Sequence, residues 1–225
     1  MIKKSFLMIL VVCFVMSPAV IANAAYGHTE NPSMEMHMKD PTAMSKSEVD
    51  LRDGMRKLWS DHVIWTRLFI VSSVANMPEA GLNAERLLKN QQDIGNAIKP
   101  YYGDAAGEKL ADLLKNHILI AANIVTAAKN GDTETVSSEE SKWIANADEI
   151  AVFLSSANPN WPKAGLQDML HQHLSLTKSE LLARLNQDYP NDIATFDQIY
   201  TQALMMADTL SEGIVKQFPA KFKMK

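Results

Sequence analysis

The sequence predicts an all-α protein: a six-helix bundle arranged as three repeated antiparallel αα-hairpins. Three observations carry this prediction. Apolar residues recur at spacings of three and four through residues 48–219, which lines one face of a helix. Stops built from Pro, Gly and Asn divide that stretch into six segments. No segment combines period-two alternation with β-branched enrichment, so no sheet is expected.

Two elements precede the bundle. Residues 1–24 fit a signal peptide: Lys3 and Lys4 begin it, residues 6–16 are apolar, and Ala22-Asn23-Ala24 supplies a small-x-small cleavage pattern. The apolar run is shorter than the roughly 20 residues a membrane span requires. A periplasmic or secreted protein with no membrane span after signal removal is therefore expected. The only cysteine, Cys13, leaves with this segment, so no disulfide is expected despite a permissive compartment. Loss of Lys3 and Lys4 takes the net charge of −4 to −6. A mildly acidic chain without a basic cluster is not expected to bind nucleic acid. Residues 25–47 lack apolar periodicity and are rich in Met, His, Pro, Asn and Ser, which reads as a flexible arm.

The first helix carries an inward stripe of Leu51, Met55, Leu58, His62, Trp65, Phe69 and Ser72, and stops near Asn76-Met77-Pro78. The second stops at Lys99-Pro100-Tyr101-Tyr102-Gly103. In the third, the stripe is Leu110, Leu113, His117, Ile120 and Ile124, with a stop at Asn130-Gly131. Ser137-Ser138-Glu139-Glu140 fits a capping box opening the fourth helix, which stops at Asn158-Pro159. Pro162 suits the first turn of the fifth, whose stripe is Leu166, Leu170, His173, Thr177 and Leu181 and whose stop is near Tyr189-Pro190. The sixth stops near Phe218-Pro219, and the basic tail at residues 220–225 is expected to fray.

The odd-numbered helices resemble one another around Leu58 to His62, Leu113 to His117 and Met169 to His173. The even-numbered helices show a fainter echo at Asn90 to Ile94, Asn146 to Ile150 and Met206 to Leu210. Three hairpins around a shared axis would bring His62, His117 and His173 together. Three imidazoles suit copper or another divalent transition metal. Asp93, Asp148, Glu149 or Asp208 would then serve as a further ligand or as the acceptor orienting a ring. Alternatively, each histidine is a core residue satisfied by a carbonyl or acid.

Two other features invite chemistry. Arg67 lies among apolar residues and needs a carboxylate, with Asp93 or Asp148 as expected partners. Met34-Glu35-Met36-His37-Met38 clusters thioethers and an imidazole in the arm, which favours capture of a soft ion such as Cu(I). The metal-ligand set from sequence is therefore His62, His117, His173, Met34, Met36, His37 and Met38. The buried polar or ligand-binding set is Asp61, Arg67, Asn90, Asp93, Asn146, Asp148 and Asp208. The chain contains no Gly-rich phosphate loop and no Gly-x-Ser-x-Gly elbow, and no cysteine lies beyond the signal segment. An enzyme is thus not the favoured expectation.

Helix one, the run Asn90-Gln91-Gln92-Asp93-Ile94-Gly95-Asn96-Ala97-Ile98-Lys99-Pro100-Tyr101-Tyr102-Gly103, and Leu114-Lys115-Asn116-His117-Ile118-Leu119-Ile120 resemble an uncharacterised family of secreted bacterial all-helical proteins. The resemblance covers most of residues 50–219 and implies the same helical fold. Members are sometimes labelled glycosyltransferases. Those enzymes use large α/β domains with nucleotide-sugar sites, and nothing in this chain resembles one.

The expected function is metal binding or handling, with copper as the favoured ion. A small-ligand module using Arg67 and Asp93, or a structural envelope protein without ligand, stands as the alternative.

Overall fold

The computed structural model describes residues 44–223. The expected signal peptide and the Met34 to Met38 cluster lie outside the described residues. Six helices follow: α1 (Lys46–Val74), α2 (Ala80–Tyr102), α3 (Asp104–Lys129), α4 (Thr133–Ala157), α5 (Lys163–Leu185) and α6 (Tyr189–Gln217), with a 3₁₀ turn at Pro219–Lys221. There is no strand among the described residues. Each helix packs on its neighbours in sequence, α6 closes the ring on α1, and α1 also touches α3 and α5. Short connections make successive helices antiparallel; Gly103 alone separates α2 from α3.

The three odd-to-even turns share one solution. Asn76, Gly131 and Gln187 each take positive φ, at 55°, 71° and 59°. The backbone of each turn closes with the paired Schellman bonds, as in Met77 N–H to Ser72 O at 2.8 Å and Asp188 N–H to Ala183 O at 2.9 Å. Each of these residues stands 14 positions after the histidine of its own helix.

Burial follows the same register. Met55, Leu110 and Leu166 are buried, as are Trp59, Leu114 and Leu170, then Val63, Ile118 and Leu174, then Ile70, Val125 and Leu181. On the even helices the matching sets are Leu87, Trp143 and Ile199; Ile94, Ile150 and Met206; and Ile98, Leu154 and Leu210. The third echo therefore begins at Gln202, four residues before the Met206 expected from sequence.

Several local expectations are corrected. α4 begins at Thr133 with Asp132 accepting from Thr135 N–H at 3.0 Å; Ser137 lies inside it. The earlier start wins because a carboxylate cap follows directly on the Gly131 turn. α2 does end within the expected run, at Tyr102 with Gly103 as its cap, and Pro100 lies in its last turn. Pro190 opens α6 rather than closing α5. Trp59, not Trp65, is the buried tryptophan of α1; Trp65 is half-buried beneath Arg86 at 5.4 Å. The tail does not fray before residue 223. Phe222 is buried and stacks on Tyr101 at 5.9 Å, and Lys221 Nζ donates to Pro100 O at 2.9 Å.

α2 and α3 approach through glycines. A Cβ on Gly95 would stand 2.4 Å from Gly107 O and 2.8 Å from Ala111 Cβ. Exposed Gly54 on α1 has no atom within 4 Å of its would-be Cβ. Gly95→Ala should therefore lower stability by about 1–3 kcal/mol through overpacking. Gly54→Ala should raise it by about 0.5–1 kcal/mol through helix propensity. Urea unfolding of both variants checks this pair, and equal signs would contradict the packing described.

Candidate functional site

The three histidines meet inside the ring. His62, His117 and His173 are 3%, 4% and 5% exposed. The His62 and His173 rings lie 5.6 Å apart by centroid. Protonation of His117 is disfavoured by His173, and protonation of His62 by both His173 and His117. His117 lies tilted against Trp143 at 5.2 Å, while Trp59 meets His62 edge-on at 5.7 Å.

A side-chain amide 29 positions onward engages each ring at Nδ1: Gln91 at 3.2 Å from His62, Asn146 at 2.8 Å from His117 and Gln202 at 3.2 Å from His173. The amides are anchored in turn. Asn146 Nδ2 donates to Leu113 O at 3.2 Å and Gln202 Nε2 to Met169 O at 2.7 Å. Those carbonyls sit four residues before the histidine on its own helix. Asn146 and Gln202 thus each tie an even helix to two points on its odd partner.

Anchoring fixes the tautomers. With their nitrogens on backbone carbonyls, Asn146 and Gln202 turn oxygen toward the rings. His117 and His173 therefore donate from Nδ1 and carry a lone pair on Nε2. The first hairpin differs. Asn90 Nδ2 takes the Leu58 carbonyl at 3.0 Å, and the neighbouring Gln91 reaches the ring. Gln91 Nε2 also donates to Leu87 O at 2.8 Å, so an amide nitrogen faces His62 Nδ1. The neutral His62 ring accepts there and carries its proton on Nε2. Gln91 Oε1, Trp59 Nε1 and Trp143 Nε1 are buried without a partner among the described residues.

Burial keeps all three rings neutral. It pushes His117 and His173 down to about 4, with the neighbouring His173 adding to the effect at His117. It holds His62 well below its ordinary value, helped by His173 and His117. Apolar cavities flank the layer. One of about 20 Å³ is bounded by Met55, Leu110, Leu166 and Met206, and one of about 30 Å³ by Ile70, Val125, Leu181 and Trp143. Among the described residues, no three His, Cys, Asp or Glu side chains stand as a ready metal-binding group.

No family model matches this chain, and no curated protein or solved structure matches it. Its chemistry must be read from its own residues.

The carboxylates expected beside the histidines are elsewhere. Asp93 pairs with Lys89 at 2.8 Å, Asp148 accepts from Gln167 at 2.8 Å and faces His171 at 3.0 Å, and Asp208 pairs with Arg52 and Arg56 at 2.8 and 2.5 Å. Asp61 pairs with Lys57 at 2.6 Å. All four are partly exposed; Asp61, Asp93 and Asp208 hold ion pairs, and Asp148 is hydrogen-bonded. Amides orient the rings instead because a neutral partner avoids burying a charge. Asn90 and Asn146 are buried, as expected. Gln91 and Gln202 escaped the sequence reading, although a search for amides at one fixed spacing from each histidine would have found them.

Arg67 does not pair with Asp93 or Asp148. It pairs with Glu180 of α5 and with Asp192 of α6, donating to Asp192 at 2.8 and 3.1 Å, and lies 4.7 Å above the Phe196 ring. The register of α1 turns it toward α5 and α6. Arg184 adds a contact to Asp192 at 3.3 Å. Both carboxylates are 1% exposed. Burial pushes Glu180 up to about 7 despite Arg67 beside it.

Two outcomes follow. Arg67→Ala should lower stability by about 3–5 kcal/mol, because it strands buried carboxylates; Glu180→Gln should cost much less. Chemical denaturation distinguishes them. The histidines also set a pH response. Unfolded histidine titrates near 6.5 and the folded His117 and His173 rings near 4, so the unfolded chain binds more protons between these values. Their stabilisation is complete above pH 6.5 and is lost as pH falls toward 4. Glu180, raised from 4.5, acts oppositely: its contribution is present below pH 4.5 and is lost as pH rises through 7. The slope of stability against pH should therefore flatten in His173→Leu between pH 6.5 and 4, and an unchanged slope would contradict the neutral buried ring.

Proposed function

We propose that this is a metal-handling helical protein of the bacterial periplasm or cell exterior. It takes copper, with Met34, Met36, His37 and Met38 collecting the ion and the histidine layer holding it. The observation that carries this reading is the gathering of neutral imidazoles whose Nδ1 atoms are engaged by amides. Metal-binding histidines characteristically donate their second ring N–H to such an oxygen, which fixes the lone pair on the other nitrogen. His117 and His173 meet that condition. His62 presents an N–H instead, and becomes a third ligand only if its proton moves to Nδ1 and Gln91 turns over. The thioethers of the arm suit a soft ion, and imidazole suits copper in either state. The signal-like residues 1–24 support the compartment. The recurring burial, turns and clamps support reading the helix pairs as copies of one hairpin.

A structural reading rests on the clamps themselves. Each crosslinks a helix pair and fixes its register with no ligand needed. The small-ligand reading loses force because Arg67 is committed to Glu180 and Asp192.

Metal analysis of untagged protein after dialysis against copper separates these readings. The full chain should retain more copper than a chain lacking residues 25–43. That shorter chain should still hold a stoichiometric ion, lost in His117→Leu/His173→Leu. Absence of stoichiometric copper from both chains would leave the clamps as purely structural devices.

A further inference from the structure

A groove of about 280 Å³ runs along the seam between α4 and α5, bordered by Trp143, Ile144, His171, Leu174, Ser175 and Lys178. This is the sparsest seam among neighbouring helices of the ring. Its inner wall is thin. Trp143 borders the groove on one side and the cavity of about 30 Å³ beside the histidine layer on the other. The same indole lies 5.2 Å from the His117 ring. Leu174, the other buried wall residue, directly follows His173 in the chain. Among the described residues, the Trp143 Nε1–H has no hydrogen-bond partner although the side chain is 5% exposed. An indole tied by its N–H would resist rotation; this one is held by packing alone.

The outer rim is polar. His171 Nε2 and Asp148 Oδ1 lie 3.0 Å apart, both partly exposed, and Lys178 covers Glu140 at 2.6 Å. An acid and an imidazole face solvent beside the mouth, and the Lys178 side chain crosses it.

We propose that the α4–α5 groove is the port through which a copper ion reaches His117 and His173, with Trp143 as its gate. Rotation of the Trp143 side chain would join the groove to the inner cavity that lies beside the layer. The proposal rests on the reading of the layer as a binding station, but access can be measured without metal.

Diethyl pyrocarbonate modification of the full-length protein, followed by peptide mass spectrometry, reports access to each imidazole. Exposed His171 serves as the internal reference. Trp143→Ala should speed modification of His117 at least tenfold relative to His171. Leu87→Ala removes a wall of the same inner cavity away from the groove and should leave that ratio within twofold. Should Trp143→Ala fail to fold, Ser175→Trp provides the second arm. It fills the groove from an exposed position and should slow modification of His117 several-fold. Equal acceleration by the two alanine variants, or no slowing in Ser175→Trp, would overturn the port. Failure to retain copper with this labelling pattern intact would overturn the metal reading alone.

Discussion

The bundle depends on the bond between a buried imidazole and a buried amide one helix away. An unpaired polar group in such a core costs several kcal/mol, so histidine and amide must meet or neither can stay. In the second and third hairpins one amide satisfies the ring with one end and an odd-helix carbonyl with the other; in the first, Gln91 and Asn90 divide the two duties. That carbonyl is freed for a second bond because it has two lone pairs. The clamp therefore sets the axial position of the even helix against the odd one. A slip of one residue would break both bonds at once. Leucine packing alone tolerates such slips far better.

The three clamps make the helix pairs alike, and the Arg67 cluster makes them different. It joins α1 to α5 and α6 on one side of the ring only. At the matching position of α5 stands Lys178, which reaches Glu140 at the surface; at that of α3 stands Ala122. Arg67 thus binds the first and last hairpins with buried charge, where no covalent turn connects them. The α4–α5 boundary has a turn but no such charge cluster, and it is there that the ring opens into its groove.

Much of this was legible in the sequence. Periodicity and Pro, Gly and Asn stops gave the helices, since those signals act locally. The histidines were visible because a polar residue on an apolar stripe stands out. Their partners were less visible. Gln91 and Gln202 carry no charge and look like ordinary surface residues, and Gln202 lies four positions ahead of the echo read from sequence. Glu180 and Asp192 were hidden for another reason. Which carboxylate meets Arg67 depends on the angular setting of α1 against α5 and α6, a property of packing that no local pattern records. The α4 start was misplaced because two capping signals compete within six residues, and the sharper turn at Gly131 decides between them.

The exchange of duties between Asn90 and Gln91 carries a consequence for symmetry. Three like rings around an axis would offer any guest three equivalent orientations. One ring with its proton reversed removes that degeneracy. Turning the Gln91 amide over would set its oxygen against Leu87 O and Asn90 Oδ1, so the reversal is held in place. The layer has one ring that donates at Nε2 and two that accept there, an asymmetry that follows from the amide contacts of Gln91, Asn146 and Gln202. One offset residue is enough to make the three buried rings unlike.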